Sequence, residues 1–282
     1  MDQKKIVVIS DTHLGYEKCD RVALNDFLDA LEKDHEVTDL VLLGDIVDMW
    51  RRDASGVFLE SRETMDKILG LTKRIEVHYV AGNHDYHVLS LKNDKPFFRY
   101  PIEFQKVLSL PDGQYTYRFM HGYEFEYKDD LAIMYPVMDT LCRVMSDDEG
   151  SIESDVWGLF TKTWTDIKFI LTTIFHRQEK RHVTETAKRL RESPKSRLAD
   201  SIQDIDRQAY EEQKKKPDEI LVYGHTHRPF INDQENLVNS GSWVTDADVH
   251  NTYVELKSGK ARLFVFDKGE ITQREEIPNK HG

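Results

Sequence analysis

The tetrapeptide Gly224-His225-Thr226-His227 sets two imidazoles two residues apart, and four earlier segments supply the partners such a pair needs to hold metal. They are Asp11-Thr12-His13, Gly44-Asp45, Gly82-Asn83-His84-Asp85 and His121-Gly122. Carboxylate, imidazole and carboxamide oxygen form a borderline-hard donor set suited to Mn, Fe or Zn, whereas structural zinc draws mainly on thiolates. Two cations about 4 Å apart need an anion between them, and one carboxylate is the usual bridge. Asp45 is the candidate bridge, because Gly44 lets the backbone turn tightly and approach a metal or phosphate closely. Water held between two cations becomes hydroxide near neutral pH, so the set points to in-line hydrolysis of a phosphoester without a covalent enzyme intermediate.

The elements that must position these groups are legible as continuous apolar runs. Ile6-Val7-Val8-Ile9 leads into Asp11 and His13, Leu40-Val41-Leu42-Leu43 into Asp45, and Val77-His78-Tyr79-Val80 into Asn83. Tyr117-Arg118-Phe119-Met120 leads into His121, and Ile220-Leu221-Val222-Tyr223 into His225 and His227. Runs of this kind suit strands buried on both faces. Ligands placed just past strand ends gather at one sheet edge, where open α/β folds bind their ligands. Helical patterning alternates with the first strands, around Leu24-Phe27-Leu28-Leu31 and Met65-Ile68-Leu69.

In this order, Asp-x-His, Gly-Asp, Gly-Asn-His-Asp, His and Gly-His-Thr-His resemble the motifs of the calcineurin-like metallophosphoesterase superfamily, from Asp11 to His227, with Val238 to Trp243 similar to its closing strand. The resemblance implies an α/β fold of two packed β-sheets flanked by helices. It implies one metal on Asp11, His13, His227 and the bridging Asp45, and another on Asn83, His121, His225 and the same Asp45. Manganese is the first expectation for both ions, with Fe or Zn also acceptable. His84 would orient substrate or protonate the leaving oxygen, a task imidazole performs near neutral pH, with Asp85 fixing its ring. Asp48 reads as a residue that supports the ligands from behind or starts a helix, a structural role rather than a catalytic one. The other histidines read as structural or exposed; His87, two residues past Asp85, is the one candidate among them for a substrate contact.

A chain of 282 residues suits one large domain carrying an insertion. Between His121 and His225 the pattern turns helical, with candidate helices at 131–145, 152–175, 179–191 and 198–216 punctuated by Pro136, Gly150, Pro194 and Pro217. The expected organisation is therefore a catalytic domain in two parts, 1–128 and 217–282, around an inserted helical cap at 129–216. The cap contains an aromatic-rich helix with Trp157, Phe160, Trp164 and Phe169, followed by residues 176–197 with eight Lys or Arg against three Glu. An aromatic groove beside a basic cluster would receive an amphiphile with a phosphate head, or a membrane surface; packing within the cap itself is the plainer reading.

A helical block in this place is similar to the UDP-2,3-diacylglucosamine pyrophosphatases, as is Gly44 to Trp50 with its terminal aromatic, although many of those enzymes carry Arg where His84 stands. The implied substrate is a phosphodiester or pyrophosphate, nucleotide-sugar or lipid-linked. Arg51 and Arg52 are candidates to grip a second phosphate, since guanidinium forks match phosphate oxygens, and a solvated pair of loop residues is the equal alternative. The opening Ile9 to Tyr16 also resembles the double-strand-break repair nucleases, but those carry their capping domain after the last metal histidines, and only 55 residues follow His227 here. A net charge of -12 further disfavours a nucleic-acid groove. Nucleotide phosphodiesterase and a metal-bound scaffold without turnover stay open. Cys19 and Cys142 form no metal motif and read as reduced thiols. With no apolar stretch long enough to span a bilayer and a strand starting near Met1, the expectation is a cytoplasmic protein, or one peripheral to a membrane.

Overall fold

The computed structural model describes residues 4–91, 100–127 and 194–274. Each apolar run becomes a strand: β1 (Ile6–Ile9), β2 (Asp39–Leu43) and β3 (Glu76–Val80), then β4 (Glu103–Gln105), β5 (Val107–Asp112), β6 (Tyr115–Met120) and β7 (Glu219–Tyr223). The chain closes with β8 (Phe230–Asn232), β9 (Leu237–Asn239), β10 (Thr252–Lys257), β11 (Lys260–Asp267) and β12 (Glu270–Arg274). These form two mixed sheets, one in the order β12-β11-β10-β1-β2-β3-β4 and the other β5-β6-β7-β9-β8. β1 to β4 run parallel, as do β6, β7 and β9.

The period of two along each strand divides the core into layers. Ile6, Val8 and Val41 face the other sheet and meet Tyr117, Phe119 and Val222. Their neighbours Val7, Ile9, Leu40 and Leu42 face outward onto Leu24, Phe27 and Leu28 of α1 (Arg21–Lys33). Burial on both faces explains why these runs carry no polar alternation. The Asp20 carboxylate caps α1 by accepting from the Ala23 amide at 3.1 Å, and Asp53 likewise caps α2 (Ala54–Glu60) through Gly56. In α3 (Arg62–Leu71) the buried stripe is Thr64, Ile68 and Leu71, whereas Leu69, expected inside, is 43% exposed. The 64, 68, 71 spacing is one helix face, and Leu69 falls off it.

The last helix of the expected cap is α4 (Pro194–Gln213), which starts at a proline and ends short of the anticipated 216. Its Ile205 and Ala209 pack with Met120, Phe125, Leu221 and Tyr223 on the outer face of the second sheet. Tyr223 donates to Asp206 Oδ1 at 2.5 Å, and the buried Arg118 of β6 ion-pairs with Glu212 at 3.1 Å and Glu219 at 2.9 Å. α4 is thus the connection that returns the chain from β6 to its parallel neighbour β7. The expected helices at 131–145, 152–175 and 179–191 lie outside the described residues, as do the aromatic face, Cys142 and nearly all of the basic segment 176–197. Among the described residues no helix is long and apolar enough to cross a membrane.

Candidate metal centre

Every expected ligand follows the carboxyl end of a parallel strand: Asp11 and His13 after β1, Asp45 after β2, Asn83 after β3, His121 after β6, His225 and His227 after β7. Both sheets contribute, so the site lies along the edge they share. Five of these residues have left-handed backbones: Asp11 (φ 52°), His13 (48°), Asp45 (52°), His225 (67°) and His227 (56°). Such conformations are uncommon outside glycine and cost roughly 1–3 kcal/mol each, which folded surroundings must offset. They turn each ligand sharply off its strand end. Sequence periodicity carries no trace of them.

Three three-residue groups form with ligand atoms within 4.8 Å of one another: Asp11 with His13 and His227, Asp45 with His121 and His225, and His13 with Asp48 and His84; the first two contain the expected ligands. His227 Nε2 stands 3.2 Å from Asp11 Oδ1 and 3.3 Å from His13 Nε2. Asp45 Oδ2 lies between the first two groups, 3.2 Å from His121 Nε2 and 3.8 Å from His13 Nε2. This is where a bridging carboxylate belongs. Ring orientation is fixed from behind: His121 Nδ1 donates to the Leu43 carbonyl at 2.8 Å, which leaves Nε2 facing the site. Asp11 Oδ2 accepts from the His225 amide at 2.9 Å, and Asp45 Oδ1 from the His84 amide at 2.8 Å. The loops from distant strands are therefore tied to one another through the ligands' own carboxylates.

Of the two supporting roles open to Asp48, orienting the ligand rings and starting a helix, its contacts favour the first. It is fully buried and starts no helix, Asp53 being the cap of α2. Its Oδ2 meets His13 Nδ1 at 3.0 Å and its Oδ1 meets His84 Nδ1 at 2.9 Å, while the amides of Trp50 and Arg51 and the Arg51 guanidinium also donate to it. The expectation that Asp85 fixes the His84 ring is corrected. Asp85 instead accepts from backbone amides and Tyr79, and the His84 ring is held by Asp48 and stacked on Trp50 at 4.1 Å. A sequence signal existed: an acidic side chain inside the apolar run Ile46-Val47-Asp48-Met49-Trp50, three residues past Asp45.

The candidate substrate residues divide. Arg51 lies on Asp48 and over the Tyr16 ring at 4.4 Å, at the rim of the site. Arg52 ion-pairs with Glu60 of α2, so its guanidinium is engaged with that helix rather than with the ligands. His87 sits in the short 3-10 helix Tyr86–Leu91, half-buried, with Nε2 3.4 Å from Ser90 Oγ. Burial pushes the Cys19 thiol up to about 12, which removes it as a nucleophile.

The donor set fits a pair of divalent cations. Asn83 Oδ1 is buried without a hydrogen-bond partner, and Asp11 Oδ1 and His121 Nε2 are buried facing only other candidate ligands, His227 and Asp45 at 3.2 Å, an expensive state for polar atoms unless something else coordinates them. The electrostatics agree. Burial opposes a charge on Asp45, yet the imidazoles of His121 and His84 hold its carboxyl well below the usual range. Burial likewise opposes a charge on His121, yet Asp45 and Asp11 raise its pKa well above the ordinary value. Buried carboxylates that keep their charge beside imidazoles are ready for cations.

Close approach also has a cost in allowed side chains. A Cβ on Gly82 would stand 2.1 Å from Asp45 Oδ1 and 2.5 Å from its backbone nitrogen. Gly82→Ala is therefore expected to push Asp45 and Asn83 apart and lower kcat/KM on a small chromogenic phosphodiester about hundredfold, the scale of a 1 Å misplacement. Unchanged kcat/KM would mean that the two loops do not need this contact.

The sequence profile of the Calcineurin-like phosphoesterase family matches residues 4–229. No curated protein matches the chain. Vacuolar Protein Sorting 29 from Cryptosporidium parvum is similar in structure, with 15% identity, 96% of this chain and 96% of that chain covered, and a TM-score of 0.44. A dimetal phosphatase from Danio rerio shows 12% identity over 94% of this chain and 99% of that chain, TM-score 0.42. A novel archaeal phosphodiesterase shows 13% identity over 92% of this chain and 98% of that chain, TM-score 0.42. These likenesses are distant, whereas the profile match runs through all five ligand segments, and by it this chain belongs to the calcineurin-like phosphoesterase family.

Proposed function

We propose that the protein hydrolyses a phosphodiester or pyrophosphate bond at a two-metal centre. One ion would be held by Asp11, His13, Asp45 and His227, the other by Asp45, Asn83, His121 and His225. The observation that carries this reading is Asp45 Oδ2 standing between the two groups of ligands, 3.2 Å from His121 Nε2 and 3.8 Å from His13 Nε2. Such a pair, when bound, supplies an acidified water and positive charge for the phosphoryl oxygens. The chain's own residues do the rest. With Nδ1 held by Asp48, proton exchange with the leaving oxygen would fall to Nε2 of His84. Trp50 against the ring limits its rotation and access to water. Arg51, held at the rim by Asp48 and Tyr16, is placed to meet a second phosphate.

For the substrate we favour a nucleotide-sugar or lipid-linked phosphate, on the similarity of Gly44 to Trp50 and of the inserted segment to the diacylglucosamine pyrophosphatase group. The test is hydrolysis by metal-stripped protein with manganese restored, across a chromogenic phosphodiester, a UDP-sugar with and without acyl chains, a dinucleotide polyphosphate and single-stranded DNA. Preference for the acylated UDP-sugar is the expected result. Selective DNA cleavage would transfer the case to a nuclease. Silence on every substrate with two metals bound would leave the scaffold.

A further inference from the structure

The carboxylate displaced from its expected role has another. Asp85 is fully buried, and three donors converge on it: the Ile46 amide at 2.7 Å and the Tyr79 hydroxyl at 2.6 Å on Oδ2, and the Gly82 amide at 2.6 Å on Oδ1. Ile46 directly follows the candidate bridge Asp45, and Gly82 directly precedes the candidate ligand Asn83. One side chain therefore joins two loops, from β2 and β3, at the residues flanking two ligands. Tyr79, in β3, ties the same carboxylate to the sheet beneath. We propose that Asp85 is a positioning residue that fixes the separation of the Asp45 and Asn83 loops, and with it the geometry of the second metal position. The proposal rests on the two-metal reading above.

The chemistry explains why a carboxylate stands there. Ile46 and Gly82 both present N–H donors, so both oxygens must accept. Asparagine has one acceptor and one donor at these positions. Asp85→Asn therefore sets an amide N–H₂ against either the Ile46 or the Gly82 amide, which removes one tether and opposes two donors in a site closed to water. Glycine at 82 brings that loop directly against Asp45, so a loosened tether shows immediately at the ligands. Tyr79→Phe deletes the third hydrogen bond but leaves both loop tethers in place. It separates a role in positioning from a role in stability alone.

Calorimetric titration of metal-stripped protein with Mn²⁺, paired with electron paramagnetic resonance of the loaded protein, provides the test. Wild type and Tyr79→Phe are expected to bind two ions with a spin-coupled signal, Tyr79→Phe melting at a lower temperature. Asp85→Asn is expected to lose about 10–100-fold in affinity for one of the two ions, the scale found for residues that orient metal ligands, and to lose the coupled signal. Equal affinities and an unchanged signal in Asp85→Asn would overturn the proposal while leaving the two-metal reading intact. Wild type that binds fewer than two ions would overturn both. Should Asp85→Asn fail to fold, amide exchange of metal-stripped wild type decides the matter. The Ile46 and Gly82 amides are expected to stay as protected as those of β2; opening of both on metal removal would mean that the ions, not Asp85, hold the loops.

Discussion

Asp45→Ala is expected to abolish phosphoester hydrolysis and to leave the protein with at most one metal ion. The carboxylate is 2% exposed, faces imidazoles from both groups of ligands, and receives the His84 amide on its other oxygen. Alanine would remove the anion proposed to be common to both ions, and a metal pair contributes several kcal/mol to stabilising phosphoryl-transfer charge, so kcat is expected to fall by about 10³-fold or more. Asp45→Asn separates the charge from the hydrogen bond, because its carboxamide oxygen still accepts from His84. Both variants are expected to lose metal on desalting, measured by elemental analysis, with Asp45→Asn the better folded. Two retained ions and near-normal turnover in either would defeat the bridging assignment.

The second large effect is expected at a residue that touches no metal. Asp48 orients His13, a candidate ligand, and His84, the candidate proton donor, with its two oxygens. Asp48→Ala should weaken metal binding about 10–100-fold through His13 and, through His84, remove a proton-transfer contribution of about 10²–10⁴. The second loss depends on the leaving group. Aryl esters with acidic leaving groups need little protonation, so a plot of log kcat against leaving-group pKa should steepen in the variant. An unchanged slope together with unchanged metal affinity would reduce Asp48 to packing. Burial opposes the Asp48 charge, but His84 and His13 keep its carboxyl well below the usual range. A depressed carboxyl contributes stability above about pH 4 that is lost as pH falls further, so acid unfolding of the metal-free variant should be less steep over that range.

What the sequence disclosed and withheld follows from where information is stored. Strands such as Ile6–Ile9 and Asp39–Leu43 are buried on both faces, and that condition writes itself as an uninterrupted apolar run. Ligands directly after those runs could be ordered along the chain before any contact was known. Asp48 and Asp85 were harder because their partners are remote or are backbone amides. Asp48 acts on residues 35 and 36 positions away, and nothing in Ile46 or Gly82 advertises that its N–H needs Asp85. Arg51 and Arg52 are adjacent in sequence yet meet different carboxylates, Asp48 and Glu60, a divergence that adjacency does not announce. The left-handed backbones at Asp11, His13, Asp45, His225 and His227 follow from sharp turns at the ends of buried strands, a demand of tertiary structure that residue type does not announce.

β6 and β7 are hydrogen-bonded neighbours, and α4 packs on the second sheet just before the chain enters β7. Phe125, before residues 128–193, and α4, after them, pack on the same sheet face. Evolution can lengthen, shorten or exchange that stretch without renegotiating a single core contact described here. Under the proposed function reactivity and selectivity would then drift independently: the hydrolytic chemistry would be inherited with the sheets, while the choice of what is hydrolysed would be rewritten one loop at a time.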